Sequence, residues 1–124
     1  MLLDTSAWVE FLLGTEKGTK VKEILTKEEL FASIATLPEL VQWCLRYNLA
    51  TIAESLKAIK QNSQILALTE EIGLRAGKLN YERKKAGRKW GMIDSIIVAT
   101  AQTYGLKVLT KDNAFRDLPE AQML

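Results

Sequence analysis

Short apolar runs alternate with longer stretches of helical periodicity along this whole chain, and few folds accept that alternation. Strand-like runs lie at Met1–Asp4, Leu30–Ala35, Gln64–Leu68 and Lys107–Thr110, with an edge candidate at Ala121–Leu124. Helical spacing fills the intervals: Thr5–Leu13, Lys17–Lys27, Thr36–Tyr47, Leu49–Gln61, Thr69–Ala86 and Met92–Tyr104, then a short helix at Asp112–Phe115. Gly14 and Gly105 stand where two of these helices must stop. Strands separated by helices predict an α/β fold, a parallel β-sheet flanked by α-helices on both faces. At 124 residues the chain reads as one domain, 1–124, without internal repeat, low-complexity stretch or linker.

Four carboxylates fall at informative places in that pattern. Asp4, Glu39 and Asp112 sit at the first, second and last strand-to-helix junctions, and Asp94 sits inside the apolar helix Met92–Tyr104. Each has an ordinary explanation. Asp4 suits the N-cap of the helix that starts at Thr5, and Asp112 suits a cap or turn. Thr36-Leu37-Pro38-Glu39 matches a capping box, with Glu39 reaching back to the Thr36 amide. Asp94 shares a face with Ile97, Val98 and Ala101, where an unpaired charge is costly, and it would also suit a cap if its helix starts at Ser95. Capping explains the acids singly and leaves their joint placement unexplained. Open α/β sheets bind ligands at the carboxyl edge of their strands. Two carboxylates about 4 Å apart there repel by roughly 4 kcal/mol at an effective dielectric near 20. A cation relieves that repulsion, and an all-oxygen ligand set suits magnesium or manganese. The expected chemistry is therefore that of phosphate esters.

Composition removes the competitors. The chain has no histidine, which excludes a Ser-His-Asp triad, a Cys–His pair, histidine general base catalysis and His-rich zinc sites. Cys44 is the sole cysteine, so no internal disulfide or paired-cysteine zinc site can form, and its apolar neighbours predict a small buried hydrophobe. Asp4 and Glu10 interrupt the apolar N-terminus and no Lys or Arg precedes it, so it does not read as a signal peptide. No apolar run approaches the roughly 18 residues of a membrane span, and a cytoplasmic protein is expected. Gly14–Lys20 lacks Walker A spacing and follows a helix instead of a strand. Arg83, Lys84, Lys85, Arg88 and Lys89 crowd the approach to Asp94. They read either as a solvated helix end or, beside an acidic metal site, as a phosphate-binding rim.

Four segments together resemble a known family, the PIN-domain ribonucleases and among them the VapC-type toxins of type II toxin–antitoxin pairs. They are Met1–Trp8, Ile34–Leu40, Met92–Ala101 and Leu109–Phe115, in family order and across the whole chain. The resemblance implies a PIN-like domain whose catalytic, metal-binding acids are Asp4, Glu39, Asp94 and Asp112, with magnesium or manganese as cofactor. Thr5, Ser6 and Thr110 would orient those acids or bound water, and Asn113 or Asp117 would complete the set. Lys84, Lys85, Arg88 and Lys89 would hold the flanking RNA backbone. It further implies hydrolysis of a phosphodiester in single-stranded or looped RNA, a homodimer, and an antitoxin whose C-terminal segment fills the acidic groove. Two other readings stay open: a metal-dependent phosphatase or phosphotransfer domain with an aspartyl-phosphate at Asp4, and a non-catalytic PIN-like binding module. Trp43 and Trp90 could serve core, dimer face or antitoxin groove, and Trp43 is expected in the core.

Overall fold

The computed structural model describes residues 1–48 and 51–124. Five strands, β1 (Leu2–Leu3), β2 (Leu30–Ser33), β3 (Ser63–Leu66), β4 (Val108–Thr110) and β5 (Ala121–Met123), form one parallel sheet in the order β3-β2-β1-β4-β5. Between them run α1 (Thr5–Leu13), α2 (Glu16–Leu25), α3 (Thr36–Tyr47), α4 (Ile52–Asn62), α5 (Glu70–Lys85) and α6 (Met92–Tyr104). The expected α/β architecture is present.

Successive strand residues point to opposite faces of a sheet, and the core divides accordingly. Leu3, Leu30, Ala32 and Leu109 join Trp8 of α1, Val21 of α2, Leu40 and Cys44 of α3 and Ile59 of α4. Their neighbours Leu2, Phe31 and Val108 pack on the other side with Ile97, Val98 and Ala101 of α6 and Leu79 of α5. So α1–α4 cover one face, α5 and α6 the other, and Cys44 is buried as expected.

Helix boundaries follow capping chemistry. The Thr15, Thr51 and Thr69 side chains accept the amides of Gly18, Glu54 and Ile72, so each threonine stands just outside its helix. That places the start of α5 one residue after the expected Thr69. It places α4 at Ile52; the expected start at Leu49 lies outside the described residues. Gly14 ends α1 at φ 67°, in the left-handed region that glycine adopts freely. Gly18 serves packing instead. A Cβ there would lie 2.2 Å from the Glu10 carbonyl oxygen, so α2 crosses α1 where only hydrogen fits.

One expected cap is absent. Ala35, not Thr36, precedes the first turn of α3, and no side chain caps that helix. Glu39 does not serve a Thr36 capping box; its carboxylate turns to α1, where the Thr5 hydroxyl donates to Oε1 at 2.6 Å. Nor does α6 begin at Ser95. It begins at Met92, and Asp94, third in its first turn, caps it by accepting the Gly91 amide.

Candidate active site

The strand order reverses between β1 and β4: the chain moves from β1 outward to β2 and β3, then returns to the far side of β1 as β4. A crevice opens beyond the strand ends at such a reversal. Asp4 follows β1, and Asp112 follows β4 by two residues. Glu39 enters from the first turn of α3 and Asp94 from the first turn of α6. All four line one cavity of about 160 Å³, together with Thr5, Ser6 and Ile97.

Each acid is held by protein donors. Asp4 is buried, 4% exposed. Its Oδ1 accepts the Ala7 amide at 2.9 Å and the Ser6 hydroxyl at 2.7 Å, and its Oδ2 accepts the Thr110 hydroxyl. Thr110 Oγ1 also accepts the Asp112 amide at 2.9 Å, so one buried hydroxyl sets the positions of two acids. Ser6 Oγ likewise accepts the Lys111 amide at 3.1 Å, tying the loop after β4 to α1. Asp94 Oδ2 accepts the Gly91 amide at 3.0 Å, and Asp112 Oδ1 accepts the Ala114 amide at 2.9 Å. Asp4, Asp94 and Asp112 therefore stabilise local turns and face the cleft as well.

The electrostatics are strained in the expected sense. Burial pushes the Asp4 carboxyl up to about 6 against the hydrogen bonds it accepts, and the Asp112 charge adds to the rise. Burial also raises Asp94, with Glu39 and Asp112 both repelling its charge. Among the described residues, none of the four acids forms an ion pair with a lysine or arginine. Among those residues, too, no three acidic side chains stand close enough as placed to share one ion. The donor set nonetheless suits a hard divalent cation: the side chains offered are carboxylates and hydroxyls, and no ion pair among the described residues offsets their negative charge.

The remaining expected residues separate. Asn113 Oδ1 accepts Arg116 at 2.9 Å. Asp117 is gripped by both terminal nitrogens of Arg83, at 2.9 and 3.1 Å, and pairs with Arg88 at 3.1 Å. Neither Asn113 nor Asp117 lines the acid cavity. Of the four cations, Lys89 lines a wider hollow of about 590 Å³ with Trp90, Gly91, Asp94, Asp112 and Ala114. Arg88 is engaged with Asp117, Lys85 lies over the Tyr81 ring, and Lys84 is exposed.

Two supports had no legible signal in the sequence. Arg83 is buried, donates to the Ala114 carbonyl at 2.7 Å and lies 4.0 Å from the Trp90 ring centroid, clamping the 3₁₀ turn Asn113–Phe115 against the α5–α6 junction. Glu10, also buried, takes the Thr15 hydroxyl and the Lys111 ammonium, which hold its carboxyl below the usual range. Both join residues about a hundred or about thirty positions apart through side chains that read as ordinary surface charges. Trp90 belongs to the core, where its indole N–H donates to Ser95 at 2.6 Å. Trp43 only half does: it packs on the core and faces a hollow beside Glu39.

The family profile described as PIN domain matches residues 1–121. Solved structures share the fold. A chain of the toxin–antitoxin complex from Klebsiella pneumoniae aligns with a TM-score of 0.74 at 22% identity, covering 98% of this chain and 94% of that one. A chain of VapBC2 from Rickettsia felis, bound to a DNA fragment from its promoter, gives 0.77 at 16% identity, covering 99% and 96%. VapC20 from Mycobacterium tuberculosis, a toxin that cleaves the sarcin–ricin loop, gives 0.72 at 17%, covering 95% and 94%. A search of curated protein sequences returned no match.

Proposed function

This chain belongs to the PIN domain family, and from that premise we propose that it is a magnesium- or manganese-dependent endoribonuclease, the toxin of a toxin–antitoxin pair. The observation that carries this reading is the convergence of Asp4, Glu39, Asp94 and Asp112, from four separate junctions of the chain, on one cleft at the switch point of the sheet. Structural neighbours that are toxins or toxin–antitoxin complexes support the biological setting.

Asp4 and Asp94 would hold the cation directly, and Asp112 and Glu39 would complete its surroundings. When bound, the ion polarises the phosphodiester and lowers the pKa of a nearby water. The chain's own side chains provide the orientation. Thr110 and Ser6 fix the Asp4 carboxylate, Thr5 fixes that of Glu39 through Oε1, and the other Glu39 oxygen receives the proton of the attacking water. Lys89 holds a flanking phosphate in the adjoining hollow, with Lys84, Lys85 and Arg88 further out. A cytoplasmic homodimer bound by an antitoxin segment over the acidic groove completes the reading. No helix among the described residues is long and apolar enough to cross a membrane. An aspartyl-phosphate at Asp4 has less support, because both of its oxygens already accept hydrogen bonds. A non-catalytic module leaves the uncompensated acids without a purpose.

The test is cleavage of a mixed RNA pool with magnesium or manganese, comparing wild type with Asp94→Asn. Asn retains an oxygen for the Gly91 amide, so the start of α6 survives the change. Cleavage that disappears in the variant and with chelator is expected. Equal activity in both proteins would assign the cleavage to a contaminant and remove the proposal.

A further inference from the structure

The helix that carries Glu39 carries something else on the same face. Gln42, Trp43, Arg46 and Tyr47 follow Glu39 at spacings of three, four, seven and eight, which is one stripe of an α-helix. The stripe extends about 12 Å from the acid at 1.5 Å per residue. These four residues line a hollow of about 240 Å³ with Thr5 and Glu39. Thr5 and Glu39 also line the acid cavity, which shares Asp94 and Asp112 with the Lys89 hollow. The acids therefore lie between two recesses, each containing a cation.

The α3 recess differs from the Lys89 side in how far its aromatic surface is exposed, since Trp90 there is 6% exposed. The Trp43 and Tyr47 rings are 5.8 Å apart, inclined at 50°, and Tyr47 is 53% exposed. Arg46 beside them is exposed and makes no ion pair among the described residues. A half-buried Trp43 and an exposed Tyr47 next to a guanidinium without an ion pair among the described residues suit a flat π-system linked to a phosphate. Unpaired nucleotides offer both together. A duplex does not, because its bases stack on one another.

We propose that Trp43, Arg46 and Tyr47 form a platform that stacks an unpaired base of the RNA flanking the phosphate held at the acids. This rests on the nuclease reading and adds to it a base-binding subsite on α3. Gln42, at the acid end of the stripe, can hydrogen-bond the base edge or sugar.

The protein supplies its own reporter. Trp8 is fully buried and Trp90 is 6% exposed, whereas Trp43 reaches the hollow. A 2′-O-methyl oligoribonucleotide of about eight nucleotides resists cleavage and spans such a site. Titrated into the wild type, it should quench tryptophan emission saturably, and a blunt duplex of the same sequence should not. Tyr47→Ala and Arg46→Gln, both at exposed positions, should each weaken binding by roughly fivefold or more. Trp43→Phe should abolish the quench while a dye-labelled oligomer still binds by anisotropy. Binding without quench, unchanged affinity in Tyr47→Ala and Arg46→Gln, or quenching by an arginine-rich peptide but not by the oligomer would each overturn the platform. Cleavage that depends on Asp94 but ignores Tyr47 and Arg46 would discard the platform and keep the nuclease. Quenching by the oligomer in a protein that cleaves nothing would do the reverse.

Discussion

Asp4 caps α1 through the Ala7 amide while its burial disfavours the charge that a cap prefers. In the folded protein its carboxyl titrates near 6, against about 3.8 in the unfolded chain. The native state therefore holds this proton more tightly, and the stability it contributes is full below about pH 4 and lost as pH rises through 6. Asp4→Asn keeps the cap and removes the titration. In metal-free protein, the variant should gain on wild type by on the order of 3 kcal/mol between about pH 4 and pH 7, read from urea unfolding at each pH. Glu10 and Asp117, whose carboxyls are lowered by Lys111 and Arg83, act in the opposite sense below pH 4 and cancel in the comparison. A pH-independent difference would mean that Asp4 ionises without penalty. Capping and a place in the acid cluster were rival explanations in the sequence, and here a single side chain caps α1 and lines the acid cavity.

At the scale of elements, the fold depends on contacts that fix how helices cross. Gly18 lets α2 lie on the Glu10 carbonyl of α1, and Gly18→Ala puts a Cβ 2.2 Å from that oxygen. Backbone must shift, and thermal unfolding should show a loss of about 1–3 kcal/mol despite the better helix propensity of alanine. Arg83 works between α5 and the turn that follows Asp112. Arg83→Met leaves the Ala114 carbonyl without its donor and Asp117 with only its Arg88 pair, at a cost of about 2 kcal/mol. Arg83→Lys should recover little of this, since an ammonium cannot grip Asp117 with two nitrogens and lie against Trp90 at once. If Arg83→Lys matches the wild type in melting temperature, the clamp is a point charge and not a fork. Helix positions were legible because apolar periodicity is local. The Gly18 crossing and the Arg83 clamp were not, because each depends on what another element presents.

For the whole molecule, the strand order places the ends of β1 and β4 at the point where the winding reverses. The crevice there gathers acids from positions 4, 39, 94 and 112 into one field of negative charge. A cation that binds this field should stabilise the folded state by mass action. At about a hundred times its dissociation constant, manganese should contribute about 2.7 kcal/mol and raise the melting temperature by several degrees. The double variant Asp4→Asn, Asp94→Asn should show no such rise, and an equal rise in it would place the ion elsewhere. The sequence by itself determined the alternation of strand and helix, the layering of helices on a parallel sheet and the identity of the four acids, because periodicity, caps and residue chemistry are encoded within a few positions of each other. Tertiary structure alone decided that Glu39 turns to Thr5 and not to Thr36, that Asp117 belongs to Arg83 and Arg88, and that Trp43 borders a recess beside the acids. Those outcomes depend on which donors and surfaces packing brings within about 3 Å, and sequence separation carries no record of that distance.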